Sequence, residues 1–94
     1  MLTITQQAAA VLVENRRSAG APDSYGARLF AATPPGGGAR RFALDFVPEA
    51  EPGDEVTKHE GVTAFVAPEV TKVLDEAVLD ASPTESGAEL VIRR

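Results

Sequence analysis

The stretch PPGGGARRFALDF, Pro34 to Phe46, sets three consecutive glycines ahead of a segment in which apolar residues alternate strictly. On an extended chain Phe42, Leu44 and Phe46 fall on one side and Arg41, Ala43, Asp45 and Val47 on the other. That pattern predicts a strand over 40–47 with its aromatic side in the core. The glycines predict a loop, because they take up positive φ without strain and lose much conformational freedom when ordered. Upstream, GARLFAAT (26–33) is a second candidate strand, so the economical arrangement is an antiparallel pair joined by the proline-glycine loop.

Outward from this pair the period changes. From Thr3 to Ser18, Ala8, Ala9, Leu12 and Val13 recur at helical spacing while Gln7, Glu14, Arg17 and Ser18 can face water. Two starts compete: Thr3 with Gln6 fits a capping box, and Thr5 between Ile4 and Ala9 fits an N-cap with a weak staple. Gly20 is the expected terminator, with Arg16 and Arg17 in the last turn, and Ala21 to Gly26 is a turn-rich linker. On the other side PEAEPGDE is a turn cluster with Pro52-Gly53 at its tip. Short strands are expected at 55–58 and 62–67 around the reversal HEG. Pro68 opens a short helical or turn segment, PEVTKVLDEA, whose apolar side holds Val70, Val73 and Leu74. Strands at 77–81 and 88–93 flank a loop, SPTESG. There is no internal repeat, and residues 1–94 read as one α+β, mainly β domain with one N-terminal amphipathic helix packed on a sheet.

Ninety-four residues leave room for one modest core, with a stability on the order of 5 kcal/mol. No cysteine is present, so neither a disulfide nor a thiolate can contribute. A formal charge of −5 disfavours a nucleic-acid surface, and the arginines come as separated pairs, Arg16-Arg17, Arg40-Arg41 and Arg93-Arg94, without an interleaved aromatic. No run approaches the roughly 18 apolar residues of a membrane span, and MLTITQQ lacks the basic and apolar regions of a signal peptide. The expectation is a soluble, cytoplasmic protein that meets neither nucleic acid nor membrane.

Taken in order, TIT followed by an Ala-rich helix, GARLFAA, the glycine loop running into RRFALDF, EPGDEVTKHEGVTAFVAPEVTKVLDEAVLD and GAELVIRR resemble the A-type iron-sulfur carriers, the IscA/HesB-like family. The resemblance spans nearly the whole chain. It implies a HesB-like strand-rich pseudo-barrel, usually a homo-dimer or homo-tetramer. It also implies iron or iron-sulfur binding through three cysteines, one in the glycine loop and two in a C-x-C near the C-terminus. Here the first would fall at about Gly37, and the sequence ends at Arg94, ahead of the place of the pair. Clusters are held by soft, anionic thiolates, and glycine has no side-chain donor. The expectation is therefore a non-catalytic protein of this family that has lost direct cluster ligation, binds no cofactor and acts through protein partners.

The remaining site candidates each have a plain alternative. Gly36, Gly37 and Gly38, with Arg40 and Arg41 beside them, could hold an acidic ligand or partner. The loop lacks the P-loop pattern, however, and leads into a strand, so a flexible hairpin is the simpler reading. His59, the sole histidine, with Glu60 and the nearby Asp54, Glu55 and Lys58, could form an oxygen and nitrogen metal site. Their spacing matches no closed ligand set, and strand alternation is expected to scatter them to both faces. The six carboxylates of Asp45 to Glu60 could dock a basic partner or simply solubilise the surface. No serine stands in a nucleophile elbow. Phe42, Leu44, Phe46, Val62, Ala64 and Val66 are expected in the core. Phe65, on the opposite side of its strand, is expected either under the helix or against a partner subunit.

Overall fold

A computed structural model describes residues 2–39, 41–59, 61–85 and 87–93. Its first element is not helical. Thr3–Ile4 form a short strand, β1, and the helix α1 runs over Gln6–Ser18, so the Thr5 start prevails over the Thr3 capping box. The reason is tertiary. The N–H groups of Thr3 and Thr5 donate to the carbonyls of Ala77 and Leu79 at 3.0 Å, and Leu2 and Ile4 bury their side chains. Thr5 then caps the helix, its hydroxyl oxygen accepting from the Ala8 N–H at 3.1 Å while its own hydroxyl donates to Asp80 Oδ1 at 2.8 Å. Removing both bonds in Thr5→Ala is expected to cost about 1–2 kcal/mol, and Thr5→Ser to restore most of it, read as urea midpoints.

The helix ends as the sequence predicts. The N–H of Gly20 donates to Arg17 and that of Ala21 to Arg16, the paired bonds of a Schellman motif. Arg16 is buried all the same: its Nη1 donates to the Tyr25 carbonyl at 3.2 Å, drawing the linker onto the helix.

The strands β2 (Gly26–Ala32), β3 (Arg41–Val47), β4 (Glu55–His59) and β5 (Val62–Val66) form a four-stranded mixed sheet in the order β3-β2-β5-β4. The expected β2–β3 hairpin is present, with Leu29 opposite Leu44. A second helix, α2 (Pro68–Leu74), follows β5, with Val70 and Leu74 buried and Val73 exposed. The last two strands, β6 (Val78–Thr84) and β7 (Gly87–Arg93), pair antiparallel, and β1 adds in parallel to β6. The expected SPTESG loop is therefore mostly strand. Pro83 fits because β1 pairs with β6 at Val78 and Leu79, so that among the described residues the missing N–H faces no neighbouring strand.

Both sheets and both helices feed one core, which includes Ile4, Leu12, Leu29, Val66, Val70 and Leu79. Strand outweighs helix, as expected, and the short helical or turn segment expected from Pro68 is a helix. Among the described residues no helix is long and apolar enough to cross a membrane.

Two expectations about the core change. Val62, Ala64 and Val66 are buried, but Phe42 is 42% exposed, and Leu44 and Phe46 only partly buried, because β3 lies at the sheet edge. Phe65 lies neither under the helix nor on an open surface. It is buried on the sheet face away from the main core, its ring over Gly26, where a Cβ would stand 2.5 Å from Phe65 Cε2.

Candidate functional site

The loop after β2 turns where its sequence says it should. The Gly37 N–H donates to the Pro34 carbonyl at 3.0 Å, with Pro35 and Gly36 at the centre and Gly36 at φ +85°, the pattern of a type II turn. Gly37 follows at φ +90° with open space around it. A cysteine at this position would have room, but its backbone would sit in a region that residues with a side chain avoid. The turn is built for glycine, and neither its donors nor its backbone fit thiolate ligation of a cluster. Arg41, at the start of β3, is exposed. Arg40 lies outside the described residues.

The acidic segment holds a structural centre that the sequence did not reveal. Asp54, whose side chain is fully buried, receives Arg28 Nε at 2.9 Å and Nη2 at 3.1 Å in a two-pronged pair, while Arg28 Nη1 lies 3.1 Å from Glu51. Asp54 Oδ2 also accepts the Glu51 N–H, closing the Glu51-Pro52-Gly53-Asp54 turn. The Arg28 guanidinium stands 5.5 Å from the centre of the Phe30 ring. The Arg28 bonds and the Glu51 N–H hold the Asp54 carboxyl below its ordinary value, against the opposing effect of burial. Asp80, at the helix cap, is lowered too, first by the Thr5 hydroxyl and then by the Ala81 N–H and Arg93.

With Asp54 committed to Arg28, the metal-site candidates separate. Glu60 lies outside the described residues, and among those described no three His, Asp or Glu side chains gather as a metal site. The same alternation that sends Asp54 and Lys58 to one face sends Glu55, Thr57 and His59 together to the other, opposite Val66, Ala64 and Val62. Each of the three carries a buried polar atom without a partner: Glu55 Oε1, Thr57 Oγ1 and His59 Nδ1. A desolvated, unpaired hydroxyl is destabilising. Thr57→Val keeps the shape and removes it, and is expected to raise stability by about 1 kcal/mol in chemical denaturation.

An open groove of about 460 Å³ runs between α1 and β7, lined by Ala10, Val11, Glu14, Asn15, Gly87 and Ala88. Glu14 is bound by Arg17 at 3.2 Å, so its one acidic side chain is engaged.

No protein-family model matches the chain, and no curated protein matches it significantly. Solved structures do. SufA of Escherichia coli, described as involved in the biosynthesis of iron-sulfur clusters, superimposes with a TM-score of 0.73 at 24% identity over 98% of this chain and 78% of its own. An IscA solved with a [2Fe-2S] cluster gives a TM-score of 0.78 at 23% identity, over 100% and 85%. A protein from Aquifex aeolicus gives 0.72 at 22% identity, over 99% and 90%. With two sheets, a capped N-terminal helix and a glycine turn before the edge strand, this cysteine-free chain has the fold of the A-type iron-sulfur carriers.

Proposed function

We propose that the chain is a non-catalytic protein of the A-type carrier fold that works through protein contacts and does not itself ligate an iron-sulfur cluster. The observation that carries this reading is the turn at Gly36–Gly38. Where the resemblance to the family implies a cysteine, the chain has a glycine at φ +90°. No other residue supplies a thiolate, for the sequence contains no cysteine. Carboxylates, imidazole and hydroxyls are harder donors and do not replace thiolates around iron and sulfide. The alternative of a metal or small-ligand module at His59 draws less support, since Asp54 is held by Arg28.

Anaerobic incubation with ferrous iron and sulfide, followed by desalting, tests the proposal. The expected result is background iron and sulfide and no visible charge-transfer bands. About one cluster per chain or per dimer, with those bands, would refute it.

A further inference from the structure

The two faces of the four-stranded sheet are covered unequally. Leu29, Ala64 and Val66 turn inward with Leu12, Val70 and Leu74, so both helices pack on one side. On the other side one row runs straight across the sheet: Asp45, Arg28, Phe65 and Val56, each opposite the next.

This outer face is crossed by the connection between β3 and β4. Its start is Val47, opposite Gly26, and its end is Glu55, opposite Val66, which is level with Leu29 three residues further along β2. Residues 48–54 therefore run diagonally from one sheet edge to the other, and Arg28 pins them midway through Asp54 and Glu51. Arg28 and Phe65 are nearly closed to solvent. On the β3 side of the crossing Phe30, Ala32 and Ala43 form an apolar patch that stays half-exposed.

Carboxylates border the patch. Asp45 and Glu49 are exposed with no ion-pair partner among the described residues, and Glu51 is 65% exposed beyond its contact with Arg28. The unpaired cations of this face, Arg41 and Lys58, stand at opposite corners.

We propose that the patch docks a basic, apolar-bearing segment of a different protein, whose lysine or arginine side chains meet Asp45, Glu49 and Glu51 while its apolar ones cover Phe30, Ala32 and Ala43. The proposal rests on the interaction role above and deepens it by naming the partner's chemistry. A second copy of the chain does not offer that chemistry. Arg16 is buried against the Tyr25 carbonyl, and Arg17, Arg28 and Arg93 are engaged by Glu14, Asp54 and Asp80. The described cations that remain, Arg41, Lys58 and Lys72, lie on three different elements. Nucleic acid and anionic lipid bring the wrong charge. Apolar contact supplies the affinity that exposed ion pairs lack, and the carboxylates supply steering and register.

The probe is a capped hexapeptide of alternating lysine and leucine, titrated into the pure, isotope-labelled chain and followed by amide NMR. The shifts are expected to centre on Phe30, Ala43 and residues 45–51, with a dissociation constant that rises about tenfold from low to high salt. Asp45→Asn with Glu49→Gln leaves the Arg28 latch untouched and is expected to weaken binding about tenfold. Glu85→Gln with Glu89→Gln removes the same charge at the β6–β7 hairpin and should change nothing. A peptide of alternating lysine and serine should bind about tenfold more weakly than the leucine one. Equal losses from the two double variants, shifts centred elsewhere, or magnesium ion alone reproducing them would overturn the proposal. So would the same amides shifting as the chain is concentrated without peptide, which would give the face to a second copy. Cluster reconstitution is indifferent to all of these results, so the proposal and the reading beneath it fail separately.

Discussion

Asp54→Ala is expected to lower stability by about 3 kcal/mol, a large share of the roughly 5 kcal/mol available to a domain of this size. The substitution deletes a fully buried carboxylate and leaves Arg28, whose side chain is 16% exposed, without its two-pronged partner. Breaking a buried pair costs more than making it gains, because the remaining charge stays desolvated. The figure sits at the low end for such pairs because Glu51 and the Phe30 ring still attend the guanidinium. The same carboxylate gives the fold a pH dependence. Its folded-state pKa lies below the ordinary 3.8, so its contribution is complete above about pH 4 and is lost as pH falls through the lower, folded value. Acid titration followed by circular dichroism should show wild-type stability falling in that window, and a flatter profile for Asp54→Ala.

Gly26→Val is expected to destabilise by about 3 kcal/mol through crowding. A Cβ at this position would stand 2.5 Å from Phe65 Cε2 and 2.8 Å from the Thr63 carbonyl oxygen. The ring could turn aside, but the carbonyl belongs to β5, which pairs with β2 immediately beyond, at Ala27 and Ala64. Relief therefore means shifting one strand against the other. Phe65→Leu in the same chain is expected to recover only part of the loss, because the backbone contact remains. Thermal and urea unfolding of the single and double variants measure both effects. Full recovery in the double variant would assign the whole cost to the ring.

These two centres show where sequence reading stops. Period-two alternation in RRFALDFV and VTAFV, the Ala-rich helix and the Gly20 terminator were legible because each depends on neighbours within one element. Arg28 and Asp54 meet only because β2 and the turn before β4 come together in space, and in the sequence Asp54 looks like one carboxylate of a solvated acidic turn. Gly26 and Phe65 are likewise brought together by strand order. The half-exposure of Phe42 follows from the edge position of β3, a fact of topology that alternation does not contain. Glu55, Thr57 and His59 stand at i, i+2 and i+4, so the period that marks a strand also places all three on one face. The glycine turn was read for what it lacks, a sulfur donor. The structure adds that its backbone has settled into a shape made for glycine.

The hydroxyl of Thr5, clasped to Asp80 75 positions further along the chain, carries a consequence for biosynthesis. The apolar side of α1 rests on β6, and β1 pairs with β6, so this segment emerges from the ribosome long before its support has been translated. Until Val78–Thr84 is made, residues 2–18 lack the strand on which much of their apolar surface is buried. Slowing translation should prolong that interval without helping the protein mature.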